Sequence, residues 1–310
     1  MIIAHLSDLH INGRLYPERS ELLRATLREC DRRGVGHIVV TGDLSHLGTE
    51  EELNECVDIF RASGYWDAER LTVTIGNHDI YGGPYYAEDV LAFPGRCRET
   101  EFAKKVDTFG RIFHPVIGTA IRSERGALFP FVKLVGEIAF VVLNTVAPWS
   151  ALRNPLGSNG TIDEEQLGRL HQLLNDSRLQ GHRLFALTHH HFHRPKYISP
   201  CSAMTKLWHR IEGQTLKLYG RKKLLDVFRL HGVEKVLHGH VHEHTEYRAG
   251  GVTCLNAGAT LQPEAGHARN FHILGAESAT VRTHEQDRLL HRFPMPLQPS
   301  IQRPRYGYSI

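Results

Sequence analysis

Three times before residue 80 the chain repeats one design. A short run of β-branched and apolar residues ends abruptly in a carboxylate, an amide or an imidazole. The runs are MIIAHLSDLH (1–10), HIVVTGDL (37–44) and LTVTIGNHD (71–79). Between them lie two amphipathic stretches. Glu18–Arg33 carries Leu22, Leu23, Leu27 and Cys30 on one side with Gly34 as its stop, and Glu50–Ala62 places Leu53, Cys56, Val57 and Phe60 at helical spacing before Gly64. Strand, helix, strand, helix, strand is the signature of a parallel sheet with right-handed crossovers. Such sheets present their functional groups where the strands leave at the carboxyl end.

The later sequence continues the theme less regularly. EIAFVVLN (137–144) reads as a strand. Thr161 and Glu164 have capping-box spacing before a helix with Leu167, Leu170, Leu173 and Leu174. RLFALT (183–188) is a strand running into His189, His190 and His191, and Val233–Leu237 is another, running into HGHVH (238–242). Leu224–Leu230 reads as helix, and Gly251–Leu255 and Phe271–Leu274 as strands. Two segments break the rhythm, 80–130 and 192–222, and are expected as insertions near the functional face. Within the first, YGGPYY and FPGRC read as loops and ETEFAKKVDTFGRIF as a helix. No composition shift demands a second domain, so 1–285 is expected to be one domain, followed by a proline-rich arm over 286–310. The insertions or that arm could carry a homo-oligomer contact.

The 310 residues can build a full-sized core, and 41% apolar with 23% charged residues is ordinary for a globular protein. A net charge of +3 suits an anionic substrate, but no concentrated basic stripe argues for nucleic acid. Cys30, Cys56, Cys97, Cys201 and Cys254 are odd in number and lack CxxC spacing, which suggests reduced thiols in a cytoplasmic protein. No stretch has the length of a transmembrane span, and the opening segment has neither the basic nor the long apolar part of a leader. The unusual figure is 22 histidines, several of them clustered.

Beyond the strands stand Asp8 and His10, Asp43, Asn77 and His78, His189 or a neighbour, then His240 and His242. Any one piece reads equally well as a turn or a cap. Their coincidence at the ends of five strands does not. Oxygen and nitrogen donors without sulfur suit manganese, iron or zinc better than calcium or a structural zinc. Asp8 and His10, two apart at a strand end, can point to one side of the sheet, and His240 and His242 repeat the device. Asp43 can bridge two cations through its two oxygens. Gly42, Gly76 and Gly239 would let the backbone approach an ion or substrate closely.

These motifs, SDLH (7–10), GDLSHLG (42–48), GNHD (76–79), HH (189–190) and GHVH (239–242), resemble those of the calcineurin-like metallophosphoesterases, in that family's order. Asn256-Ala-Gly-Ala resembles a later family segment, with Ala257 where proline is usual. The resemblance implies a four-layer α/β/β/α sandwich of two mixed sheets flanked by helices, with two divalent or mixed-valence metal ions at the strand ends. Asp8, His10, His242 and Asp43 would hold one ion. Asp43 would bridge to the second, held also by Asn77, His189 and His240. The family's His-His-Pro pattern makes His189 the ligand, with His190 the one-residue alternative, since His191 stands where proline would. His78 and the Asp79 that follows it would be catalytic, and Asn77 and His78 would contact substrate.

The implied chemistry is direct attack of a metal-bridging hydroxide on phosphorus, with His78 assisting the leaving oxygen. In layout the chain most resembles bacterial class III cyclic nucleotide phosphodiesterases. A small phosphodiester, a cyclic nucleotide or glycerophosphodiester, is the expected substrate. A phosphomonoester is the first alternative. Cleavage of a nucleotide-linked lipid pyrophosphate is another, with Phe109, Ile112 and Phe113 forming an apolar groove. Tyr81, Tyr85, Tyr86, Arg96, Arg98, Arg194 and Lys196 could stack on a base or grip an anion. A non-catalytic binding module is the contrasting class, which metal content would separate.

Overall fold

A computed structural model of the chain describes residues 1–83, 87–123, 127–193, 216–261, 269–275 and 279–283. The opening repeat forms as its sequence predicts. Strand β1 (Ile3–Leu6) leads through α1 (Pro17–Arg32) to β2 (His37–Thr41), then through α2 (Glu50–Ala62) to β3 (Leu71–Thr74). Pro17 opens α1, where its missing N–H costs nothing. A full capping box starts α2, the Thr49 side chain accepting from Glu52 while Glu52 reaches back. All residues of β1, β2 and β3 are buried, which is why these strands read as unbroken apolar runs and not as alternation.

Helices α3 (Asn77–Tyr81), α4 (Ala87–Glu99), α5 (Phe102–Ile112) and α6 (His114–Ile117) follow, then strands β4 (Ile121–Arg122), β5 (Phe131–Val135) and β6 (Ile138–Val142). The short strand β7 (Gly160–Thr161) precedes α7 (Glu164–Leu174) and β8 (Arg183–Leu187). The rest comprises β9 (Leu218–Tyr219), α8 (Arg221–Leu230), β10 (Val233–His238), β11 (Thr245–Ala249), β12 (Val252–Asn256), β13 (Arg269–Leu274) and β14 (Ala279–Thr283).

The strands form two large mixed sheets, ordered β14-β13-β1-β2-β3 and β11-β12-β10-β8-β6-β5-β4, with β7 and β9 paired separately. In the first, β1, β2 and β3 run parallel and β13 joins β1 antiparallel. In the second, β6, β8, β10 and β12 run parallel, with antiparallel strands at both edges. The second sheet shows how the layers stack. Ile138, Phe140 and Val142 of β6, with Phe185 of β8 and Leu237 of β10, face the core shared with the first sheet. Their neighbours Ala139, Val141, Ala186 and Val236 pack in a separate cluster with Leu167 and Leu170 of α7 and Leu224 and Phe228 of α8. Period-2 alternation thus sorts one strand's side chains into two cores, giving two sheets face to face with helices outside.

Several local expectations need correction. FPGRC lies inside α4, with Pro94 within the helix, because buried Phe93 and Cys97 anchor that turn against the core. The helix expected over ETEFAKKVDTFGRIF forms as α5, starting at Phe102, with only Glu99 belonging to α4. The cap of α7 is Asp163, which accepts from Gln166 N–H at 2.7 Å, whereas Thr161 lies in β7. Strands β5, β11 and β14 were not foreseen. Tyr81 is buried and donates to the Ala147 carbonyl at 2.9 Å, and Phe109 and Phe113 pack on one another in the core, so none of the three offers a surface to substrate. Arg96 and Arg98 are exposed on α4. Tyr85, Tyr86, Arg194, Lys196, Cys201 and the 286–310 arm lie outside the described residues. Cys30, Cys56, Cys97 and Cys254 are buried.

Candidate metal centre

The donors sit not on the strands but in the turns just past them. The turn after β1 runs alongside that after β2, with Asp8 N–H donating to Gly42 O and His10 N–H to Asp43 O. On the second sheet the Gly239 N–H likewise donates to His189 O. Asp8, His10, Asp43, His240 and His242 all have positive φ, at 52, 47, 51, 75 and 54°, and are the only non-glycine residues to do so among those described. Left-handed backbone costs an ordinary residue about 1 kcal/mol or more. Five candidate ligands therefore sit in strained turns, which shows that turn geometry, not strand alternation, brings Asp8 and His10 to one side.

Glycines make room for these side chains. A Cβ at Gly42 would lie 2.6 Å from His189 Nδ1, one at Gly76 would overlap Asp43, and one at Gly239 would overlap Ser7 and Asp8. The close approach is thus to the donor side chains themselves.

Two groups of donors result. Asp8, His10 and His242 each present an atom within 4.8 Å of the others, as do Asp8, Asp43 and His189. His10 Nε2 lies 3.2 Å from His242 Nε2 and 3.9 Å from Asp43 Oδ2, and His242 Nε2 lies 3.4 Å from Asp8 Oδ1. His189 Nε2 lies 3.0 Å from Asn77 Oδ1, 3.2 Å from His240 Nδ1 and 3.4 Å from Asp43 Oδ2. Asp43 Oδ2 is the oxygen nearest both His10 and His189, while Oδ1 accepts the His78 N–H at 2.7 Å.

The tautomers test whether this set fits a cation. His189 Nδ1 lies 2.8 Å from the Thr41 carbonyl, which can only accept, so Nδ1 carries the hydrogen. Nε2 of the neutral ring is then a lone pair facing a carboxylate and an imidazole, with the Asn77 amide oxygen alongside. Acceptors facing acceptors in a buried site require a positive charge between them. The titration behaviour shows the same demand for positive charge, which a proton on His189 meets when no ion does. Burial opposes charge on His189, yet Asp43 beside it raises its pKa to about 9, and His242 is raised by Asp8 in the same way. Asp43 in turn is held well below the usual range, against its burial, by His189 and His78. His10 and His240 are lowered by burial and by neighbouring imidazoles. Most of these groups are buried, but the His242 side chain is 44% exposed and marks the open side. The donor set therefore fits metal ions.

His190 behaves differently from His189. Thr145 Oγ1 accepts both the His189 and His190 backbone N–H groups at 3.2 Å, leaving its own hydrogen for His190 Nδ1 at 2.9 Å. His190 is buried, and its ring lies 4.4 Å from that of His240. His78 Nδ1 donates to the His46 carbonyl at 2.9 Å, which leaves Nε2 for the site, and its ring packs edge-on with that of His10, centroids 4.4 Å apart. The Asp79 carboxylate accepts from Ser45 N–H, Ser45 Oγ and Gly76 N–H, each at 2.9 Å. Burial and then Asp43 push its pKa to about 7 against the pull of those donors. Ser45, Thr145 and His46 were not singled out from sequence, although Ser45 and His46 stand in GDLSHLG.

Comparisons with known proteins place this geometry in a family. The calcineurin-like phosphoesterase family matches residues 1–244, and the chain belongs to it. Among solved structures, a dimetal phosphatase from Danio rerio superposes with a TM-score of 0.57 at 16% identity, covering 92% of this chain and 96% of that one. A purple acid phosphatase from yellow lupin (Lupinus luteus) matches at 15% identity and a TM-score of 0.49, covering 92% of this chain but 48% of that one. At these identities the likeness is one of fold. No curated protein matches the chain significantly. Among the described residues no helix is long and apolar enough to cross a membrane.

Proposed function

We propose that the protein is a binuclear metal-dependent phosphoesterase that prefers small phosphodiesters of the cyclic nucleotide or glycerophosphodiester kind. One observation carries the hydrolase reading: the lone pair of His189 Nε2 is aimed at Asp43, Asn77 and His240 within 3.4 Å. Asp8, His10, His242 and Asp43 would hold one ion, and Asp43, Asn77, His189 and His240 the other. Nitrogen and oxygen donors without sulfur suit manganese, iron or zinc. When bound, such a pair supplies Lewis-acid activation of water and neutralisation of phosphoryl charge.

The chain's own residues supply the rest. His78, fixed through Nδ1, offers Nε2 to the leaving oxygen. With Asn77 Oδ1 turned to His189, the amide N–H₂ is left for a phosphoryl oxygen. Asp79 acts as a positioning residue, tying Ser45 and Gly76 to the start of α3 so that Asn77 and His78 keep their places. The diester preference rests on resemblance in layout to class III cyclic nucleotide phosphodiesterases. Buried free thiols support a cytoplasmic setting.

The test is the ratio of kcat/KM for bis-p-nitrophenyl phosphate to that for p-nitrophenyl phosphate with Mn²⁺ supplied. A strong diester preference supports the assignment. A monoester preference replaces it with a phosphatase, and cleavage of neither by a metal-loaded protein rejects both.

A further inference from the structure

His46 is 9% exposed, and among the described residues neither of its ring nitrogens has a hydrogen-bond partner. A buried polar group without a partner costs stability, so its persistence calls for an explanation. Packing alone does not give one. Tyr16 meets the ring edge-on at 5.2 Å, and a phenyl ring would serve that contact as well. Its other ring contacts are with site residues. His78 stacks at 5.7 Å and His10 lies edge-on at 5.9 Å, and one ring nitrogen of each of the three lies within 4.8 Å of the others.

Three imidazoles could hold a cation or face an anion. A third cation here would stand beside the two that the neighbouring donors fit, with no carboxylate in its own donor group. An anion meets the opposite situation, two cations on one side and N–H donors on the other. A neutral imidazole carries one N–H and one lone pair, so the unpartnered His46 ring has a donor to offer.

We propose that His46 is a second substrate-facing imidazole, which with His78 donates a hydrogen bond to a phosphoryl oxygen on the His10 side of the centre. The inference rests on the phosphoesterase reading for its substrate class. It gives the GDLSHLG motif two contributions: Asp43 to the metals and His46 to the phosphoryl group. His46 also fixes its partner, since its backbone carbonyl orients His78.

The experiment is calorimetric titration of inorganic phosphate into the Mn²⁺-loaded wild type, His46→Phe and His46→Gln, with metal content measured in each. Phe keeps the ring against Tyr16 but removes the donor, whereas Gln restores an N–H. The expected result is phosphate binding about tenfold weaker in His46→Phe, the loss of a hydrogen bond to a charged group, with partial recovery in His46→Gln and metal content unchanged. Wild-type affinity in His46→Phe would overturn the proposal, and so would loss of a metal equivalent. Phosphate binding needs no turnover, so the two readings separate. His46-dependent binding in a protein that cleaves no ester sinks the hydrolase alone, while binding indifferent to His46 in an active enzyme sinks this inference alone.

Discussion

The backbone N–H of His78 donates to Asp43 Oδ1 at 2.7 Å. That bond orients the carboxylate with Oδ2 nearest both His10 and His189, and it ties the candidate acid to the candidate bridging ligand.

Asp43→Asn therefore tests the centre most directly. The amide can still accept from His78 N–H but brings no charge between His10 and His189. Metal content is expected to fall from two equivalents to one or fewer, and kcat/KM by about a thousandfold or more. Elemental analysis and a p-nitrophenyl ester assay measure the two effects. Full activity with two metals would contradict the bridging role.

Gly76→Ala probes the cradle. Gly76 has φ −112° and ψ 176°, which any residue adopts, so the methyl group is the only perturbation. It would overlap Asp43 Oδ1 and backbone N, with Cγ at 2.9 Å. Overpacking of this kind costs about 3 kcal/mol, and here it pushes on the bridging carboxylate as well. Urea unfolding should show the loss in stability and elemental analysis a loss of metal. A variant that matches the wild type in both would show that the turn yields freely.

His189→Ala and His190→Ala should part company. His189 loses a lone pair aimed at Asp43, and one metal equivalent should go with it. His190, whose Nδ1 accepts from Thr145, should leave both metals in place and lower thermal stability instead. Loss of metal in His190→Ala but not in His189→Ala would reverse the assignment.

A pH effect should originate well away from the centre. His37 is fully buried, donates from Nδ1 to the Glu69 carbonyl at 2.8 Å and accepts from Thr72 at Nε2. Burial lowers its pKa from the ordinary 6.5 to about 3. Between those values the unfolded chain binds the proton and the folded protein does not, so stability is full above pH 6.5 and falls as the pH drops toward 3. The slope is about 1.4 kcal/mol per pH unit for one proton. His37→Gln should remove that much from the pH dependence of unfolding free energy between pH 6.5 and 5. An unchanged slope would show that His37 does not carry the proton.

The sequence was most legible where the chemistry is densest. Strands β1, β2 and β3 are wholly buried, mostly apolar runs, so the sudden change to Asp, Asn or His marks both the strand's end and a donor. The left-handed turns at Asp8 and His240 were invisible, because Asp and His give no local sign of positive φ. Pro94 and Gly95 gave a local sign of a loop that burial of Phe93 and Cys97 overrides. His46 stood inside a recognised motif, yet its isolation from any partner appears only when Tyr16, His10 and His78 are placed around it.

The pairing of β1 with β13 has a consequence in time. His242 is made 232 residues after His10, and β13, the strand that covers β1, later still. At a synthesis rate of about 5–20 residues per second, the early donors wait roughly ten to fifty seconds for the late ones. The N-terminal βαβαβ unit can collapse in that interval, but a stable two-metal site cannot. Metal acquisition at the proposed centre would thus be a late event in the protein's biogenesis. A nascent chain arrested before residue 240 should be compact around β1–β3 and bind metal only weakly.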